Sequence, residues 1–217
     1  MINKIAKLAK IYNMGCLDSA KSLGYIKNIT PGKAYMKEVK KAVFFDRDGV
    51  INRDFGYVYR QEDFVFNEGI FDLLKFCKEK GFLLFVVTNQ SGIARGFYTT
   101  QDFKTLSAYM QNELKRKLGF GFDSIYFCPH DPKEDCTCRK PKTGMIEQAK
   151  KDYDIKLGDC FIIGDKISDI QAGQKADIRY KILVGKAPKE QVAGISNLHI
   201  VANTKEIKEV MNGILQA

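Results

Sequence analysis

The chain has 217 residues, of which 45% are hydrophobic, 28% charged and 12% aromatic, which excludes a wholly disordered, collagenous or coiled-coil protein. A chain of that length buries about 70% of the surface its unfolded form exposes, so a core needs no disulfide staples, and no apolar run nears the roughly 18–20 residues of a membrane span. The formal net charge of +9 is concentrated: nine lysines against Asp18 and Glu38 in residues 1–41 account for +7, which argues against a nucleic-acid partner for the body of the protein.

In chain order, Ile2, Ile5, Ala9 and Tyr12 sit at helical spacing among lysines, and Gly15, Gly24, Pro31 and Gly32 then break the pattern. A basic extension and linker over 1–38 is therefore expected ahead of a main domain at 39–217, with Met36 offering an alternative start. No charged n-region, apolar h-region and cleavage site open the chain, so a cytoplasmic protein without stable membrane insertion is expected. Beyond Lys41, short apolar runs alternate with amphipathic helices. AVFF (42–45) is a strand, and EGIFDLLKFCKEKG (68–81) is a helix with Ile70, Leu73, Leu74 and Cys77 on one face and Gly81 at its C-terminal end. FLLFVV (82–87) has no polar alternation, as in a strand covered on both faces. A helix over 100–118, the strand SIYFC (124–128), a helix opened by Pro141, the strand FIIG (161–164), a short helix near Gln171, and the strands KILVG (181–185) and HIVA (199–202) follow. This alternation predicts an α/β fold, a Rossmann-like parallel sheet with helices on both faces.

Three of the strands run into polar clusters: Asp46-Arg47-Asp48-Gly49, Thr88-Asn89-Gln90-Ser91-Gly92, and Gly164-Asp165-Lys166 with Asp169. In an open parallel sheet the ligand crevice lies beyond the carboxyl ends of the strands, so the three converge. Arg139-Lys140-Pro141, at an expected helix start, adds a place for an anion. Gly49 allows the turn that brings Asp46 and Asp48 to one centre, where one carboxylate can attack and the other can move protons. Asp165 adds a third carboxylate, and such crowding calls for a cation; ligation by oxygen alone suits Mg²⁺. Thr88 and Lys140 supply a hydroxyl and an ammonium to a transferring group, so the set fits displacement at phosphorus.

Cys128, His130, Cys136 and Cys138 form a second cluster, C-x-H-x5-C-x-C, that can close a tetrahedron around Zn²⁺ with no open position, as a structural site does. Cys16, Cys77 and Cys160 are scattered and read as small buried or incidental residues.

The order DRDGVIN (46–52), TNQSG (88–92), RKPKTG (139–144) and GDKISD (164–169) resembles the haloacid dehalogenase superfamily of phosphatases over about residues 41–215. The resemblance implies that Asp46 is a nucleophile forming an aspartyl phosphate, that Asp48 is the acid–base, and that Thr88 and Lys140 stabilise the phosphoryl group. It also implies Mg²⁺ on Asp46, the backbone carbonyl of Asp48, and Asp165. With DFGYV (54–58), TNQSGIARGFYT (88–99) and the cysteine loop, the chain is similar to the heptose 1,7-bisphosphate phosphatases, and histidinol-phosphate phosphatases share much of this pattern. That likeness implies a substrate surface of Asp54, Phe55, Gly56, Tyr57, Asn89, Gln90, Ser91, Arg139 and Lys166, with Arg139 reading the sugar or its second phosphate. Arg95 and Lys142 are further cations that could serve a second phosphate.

Only 39 residues separate Asp48 from Thr88, expected to hold a strand pair, a helix and a strand, and 51 separate Thr88 from Lys140, so no cap domain fits. The expected protein is a capless monomeric enzyme acting on a small phosphorylated sugar. The alternatives are a histidinol-phosphate phosphatase and a non-catalytic zinc-containing module whose basic arm docks on an acidic partner.

Overall fold

The computed structural model describes residues 39–217. The helix and linker expected over 1–38, with Cys16 and Met36, lie outside the described residues. Six strands, β1 (Ala42–Phe45), β2 (Leu83–Asn89), β3 (Ser124–Cys128), β4 (Phe161–Gly164), β5 (Tyr180–Val184) and β6 (Leu198–Val201), form one sheet in the order β3-β2-β1-β4-β5-β6. All five pairings are parallel. β1 lies inside the sheet between β2 and β4, with Val43 in register with both Leu84 and Phe161.

Alternation along β1 and β2 decides which helix covers which face. Val43, Phe45, Leu84 and Val86 pack with α1 (Ile70–Glu79), α2 (Thr100–Leu118) and α6 (Ile207–Gln216). Ala42, Phe44, Phe85 and Val87 pack with α3 (Gly144–Tyr153) and α4 (Ile167–Lys175) on the other face. Both sides of these strands are thus dry, which is why their sequence shows no polar alternation. A short helix, α5 (Lys189–Val192), lies between β5 and β6. Each helix faces the sheet with an i, i+3/i+4 stripe: Ile70, Leu73, Leu74 and Cys77 in α1, and Phe103, Leu106, Met110 and Leu114 in α2. Shortening a fully buried member such as Leu73 to Ala would cost about 2–5 kcal/mol.

Two expectations need correction, and one element adds to them. After β6 the chain forms α6, which buries Ile207 and Met211 against the α1–α2 face. The strand pair expected between Asp48 and Thr88 is reduced to single bridges at Asn52, because the Asn67 side chain takes the carbonyls of Gly49 (2.9 Å) and Val50 (3.0 Å) that a ladder would have used. Pro141 does not open α3, which begins at Gly144. Residues 139–142 instead form a turn closed by Lys142 N–H on the Arg139 carbonyl (2.8 Å), and the Gly144 amide bonds the Thr137 carbonyl (3.2 Å). Between Asp48 and Thr88 lie only a loop, α1 and the start of β2, and between Thr88 and Lys140 only α2, β3 and connecting loops, so the sheet's carboxyl edge carries no inserted cap.

Candidate active site

The strand order reverses direction between β1 and β4, and the chain's acidic groups gather there. Asp46 extends the β1 ladder by one bond, its amide reaching the Ile163 carbonyl at 2.9 Å, and Asp165 and Asp169 follow β4. Ligand oxygens of Asp46, Asp165 and Asp169 lie within 4.8 Å of one another. Glycine makes this approach possible at two points. Gly49 has φ +86°, and a Cβ there would overlap the Asp165 carboxylate; one at Gly164 would overlap Asp169.

Lys140 reaches into the cluster from the turn before α3. Its Nζ donates to the Val87 carbonyl (2.7 Å) and pairs with Asp46 Oδ1 (3.0 Å) and Asp169 Oδ1 (2.6 Å), which matches its three N–H donors. Its backbone is pinned by Asn89, whose amide group donates to the Lys140 carbonyl (3.1 Å) and accepts from the Lys140 N–H (3.0 Å). Asp169 also accepts the Lys166 amide at 3.0 Å, so one carboxylate both starts α4 and holds Lys140.

Burial is the largest influence on Asp46 and raises it to about 7; Lys140 opposes this, while Asp169, Asp165 and Asp48 add to it. Asp165 is raised to about 6, again by burial first, with Lys166 opposing and Asp169 and Asp54 adding. Burial works against the charge on Lys140, but Asp169 and Asp46 outweigh it and hold the ammonium above the ordinary lysine range. The cluster has more negative charge than its cations balance, and Asp165 Oδ1 is buried with no hydrogen-bond partner among the described residues. An excess of oxygen ligands with one of them unpartnered fits a hard divalent cation such as Mg²⁺.

Asp48 faces a different environment. The Arg47 guanidinium grips both of its oxygens, Nε to Oδ1 at 3.1 Å and Nη2 to Oδ1 at 2.9 Å and Oδ2 at 2.8 Å. Asn52 donates to Oδ1 (3.0 Å) and Gln90 to Oδ2 (3.0 Å). Gln90 is itself fixed, donating to the Thr88 hydroxyl (2.9 Å) and accepting from the Tyr98 hydroxyl (2.5 Å). Burial alone would raise Asp48, but Arg47 and the hydrogen bonds from Asn52 and Gln90 overcome it and hold the carboxyl below its usual range.

These groups border a crevice of about 370 Å³ lined by Asp48, Asp54, Gly56, Tyr57, Asn89, Gln90, Ser91, Tyr98, Arg139, Lys140, Lys166 and Ser168. Asp46 and Thr88 are buried, Asp46 in contact with the Lys140 of that wall. Lys166 leans on Asp54 (3.4 Å), and Tyr57, at φ +51°, packs edge-on against Phe97 with centroids 4.7 Å apart. Larger hollows elsewhere, about 560 Å³ beside Gln101 and 470 Å³ beside Val39, gather no such set of converging groups.

The cysteine loop borders the crevice through Arg139. Cys128 Sγ lies 3.5 Å from His130 Nδ1 and 3.6 Å from Cys136 Sγ, and His130 Nδ1 lies 3.3 Å from Cys138 Sγ. The edges of a tetrahedron around zinc, at ordinary Zn–S and Zn–N lengths, are about 3.4–3.8 Å, so the four atoms fit that ion. Arg139, next to Cys138, donates to the His130 carbonyl at 3.4 Å.

A family model described as HAD-hydrolase-like matches residues 137–206. The chain is 46% identical over 179 residues to a D-glycero-β-D-manno-heptose-1,7-bisphosphate 7-phosphatase of Helicobacter pylori, a match spanning 82% of this chain and 99% of the relative. It is 46% identical over 172 residues to a D-glycero-α-D-manno-heptose-1,7-bisphosphate 7-phosphatase of Campylobacter jejuni, spanning 79% and 94%. The chain belongs to the heptose-1,7-bisphosphate 7-phosphatase family of haloacid dehalogenase-like hydrolases. Its fold is also that of the D,D-heptose 1,7-bisphosphate phosphatase of B. bronchiseptica, solved with magnesium and phosphate: the TM-score is 0.70 at 26% identity, covering 82% of this chain and all of that one. Neither alternative, histidinol-phosphate hydrolysis or a non-catalytic module, is favoured by these relatives.

Within this family member, most of the expected site residues lie together at the carboxyl ends of β1, β2 and β4. Arg95 and Lys142 are not free cations of the crevice: Arg95 is engaged by Asp131 (3.0 Å) and the Tyr57 hydroxyl (2.7 Å), and Lys142 by Asp135 and the Cys136 carbonyl. Phe55 is 62% exposed and lies outside the crevice wall. Asp169, noted in the sequence but given no task, is the partner of Lys140, and its place three residues after Lys166, in the first turn of α4, is the signal that could have assigned it. Tyr98, Ser168, Asn52 and Arg47 fall within the motifs but carry no expected task. Their parts depend on side-chain direction across loops, which no periodicity encodes.

Proposed function

We propose that the chain is a Mg²⁺-dependent phosphoric monoester hydrolase that removes the C7 phosphate of D-glycero-D-manno-heptose 1,7-bisphosphate. The product, a heptose 1-phosphate, would supply precursors of lipopolysaccharide or other surface glycans in the cytoplasm. Among the described residues no helix is long and apolar enough to cross a membrane. Residues 39–217 would form the phosphatase domain and 1–38 a separate extension.

The observation that carries the reading is the Asp46–Asp165–Asp169 cluster with Lys140 inserted into it. Lys140 and the Arg47 amide (2.8 Å) both engage Asp46 Oδ1, which supports Oδ2 as the oxygen that attacks phosphorus. The resulting aspartyl phosphate would be steadied by the Thr88 hydroxyl and the Lys140 ammonium. Asp48, held low by Arg47, Asn52 and Gln90 in the free protein, would take up a proton as the anionic substrate enters, pass it to the departing sugar oxygen, and then take a proton from the water that releases phosphate from Asp46. When bound, Mg²⁺ on Asp46, Asp165 and the Asp48 carbonyl would offset the repulsion between these carboxylates and the incoming phosphate. Arg139 and Lys166 line the crevice and suit the sugar hydroxyls or the second phosphate. Cys128, His130, Cys136 and Cys138 would hold a structural Zn²⁺ that positions Arg139 and Lys140.

The test is ³¹P NMR of both anomers of the heptose 1,7-bisphosphate, heptose 1- and 7-monophosphates and histidinol phosphate, each incubated with enzyme and Mg²⁺. Loss of the C7 signal with the C1 signal retained is expected. Faster turnover of histidinol phosphate, or loss of the C1 phosphate first, would overturn the assignment.

A further inference from the structure

Arg47 stands between the two catalytic carboxylates in the sequence, where a motif reading treats it as a spacer, yet its side chain is buried and turned onto Asp48. It is 1% exposed, its guanidinium lies 5.5 Å from the centre of the Phe103 ring, and Nη2 donates to the Val58 carbonyl at 2.7 Å. The remaining bonds from Nε and Nη2 all go to Asp48, covering both carboxylate oxygens. Asn52 and Gln90 hold Asp48 too, each through one N–H to one oxygen, whereas Arg47 is the group that bonds both oxygens at once. A planar fork fixes the carboxylate plane as well as its distance.

An acid–base must present its carboxyl at the leaving oxygen to within a fraction of an ångström. In an enzyme with a closing cap, that placement can come with closure. Here the crevice is open, and the part of the molecule that aims Asp48 has to be present in the body of the fold. We propose that Arg47 is the positioning residue of the acid–base, its buried guanidinium setting where Asp48 meets the leaving oxygen of the substrate. This rests on the reading of Asp48 as acid–base given above.

The predicted consequence is selective. Arg47→Lys keeps a positive charge but loses the fork, and Arg47→Met keeps the buried stem beside Phe103 without charge; thermal unfolding with Mg²⁺ identifies which of the two retains the fold. With heptose 1,7-bisphosphate, whose alkoxide leaves poorly, kcat/KM should fall about 10- to 100-fold more than with p-nitrophenyl phosphate, whose leaving group needs no proton; kcat/KM ends at departure of the leaving group, whereas hydrolysis of the aspartyl phosphate, common to both esters, can limit kcat. Asp48→Asn should show the same split, and adding Arg47→Lys to it should widen the split by less than about twofold, because the guanidinium then has no acid to aim. Equal losses on both esters, or an undiminished Arg47→Lys effect in the Asp48→Asn background, would overturn the proposal and leave the acid–base reading standing. Absence of a split in Asp48→Asn itself would overturn that reading and the proposal with it.

Discussion

The two clusters of this chain that could hold a metal ion are built on opposite plans. Asp46 and Asp165 sit at the ends of strands whose neighbours are fully buried, and Asp169 in the first turn of the helix that follows, so the sheet and that helix hold them together even while their charges repel. Cys128 caps β3, but His130, Cys136 and Cys138 belong to a loop whose other members are largely exposed, Asp135 almost completely. Only Cys136 and Cys138 pack against the core from that segment. In the first cluster the fold creates the site; in the second, the ligands would create the local fold. The same element, a bound cation, should therefore be chemical in one and structural in the other.

The largest effect expected from breaking this comparison is at the nucleophile. Asp46→Asn should lower kcat by about 10⁴-fold or more with the fold intact, as removal of a reacting side chain does, read by phosphate release alongside circular dichroism. Residual activity within tenfold of the parent would remove Asp46 from the chemistry. Next comes the loop: stripping zinc, or Cys136→Ser, should lower activity about 10- to 100-fold by displacing Arg139 and Lys140. Hydrogen exchange should rise over 128–140 and stay unchanged in β1 and β4. Exchange that rises throughout the domain would show that zinc supports the whole fold.

Substrate choice should respond on a similar or smaller scale. Arg139 makes no pair with the acids beside it, since Asp131 and Asp135 are engaged by Arg95 and Lys142. If it reads the non-reacting end of the sugar, Arg139→Ala should reduce kcat/KM for heptose 1,7-bisphosphate about 10- to 100-fold more than for a small generic phosphate ester. Equal losses would make Arg139 a brace of the loop.

The smallest effect concerns pH. Asp46 and Asp165 titrate near 7 and 6 in the folded, metal-free protein, above their ordinary value, so from about pH 4 to 7 the folded chain keeps protons that the unfolded chain has released. These two groups should lower stability as pH rises through that window, and Mg²⁺, which favours the ionised carboxylates, should restore it. The rise in unfolding midpoint on adding Mg²⁺ should be a few degrees larger at pH 8 than at pH 5. A Mg²⁺ effect independent of pH would contradict the charge imbalance.

The strands were legible because a strand dry on both faces reads as an unbroken apolar run, and the polar clusters were legible because they terminate such runs. The cluster of three cysteines and a histidine was legible from spacing alone. What the sequence hid were directions. Arg47 and Asp169 look like ordinary motif neighbours until their side chains are seen to turn onto Asp48 and Lys140. Arg95 and Lys142 look free until the loop acids are seen to hold them. The strand pair is absent because one side-chain amide, Asn67, substitutes for a ladder, whereas α6 has a readable stripe in Ile207, Val210, Met211 and Ile214.

The most direct measurement is a rapid acid quench during turnover of heptose 1,7-bisphosphate with Mg²⁺, followed by peptide mass spectrometry. A phosphoryl group on the peptide carrying Asp46, absent from Asp46→Asn and more abundant when Asp48→Asn slows its hydrolysis, is the expected result. A phosphoryl group on another residue, or continued turnover with none on Asp46 at any quench time, would contradict a nucleophile at the end of β1.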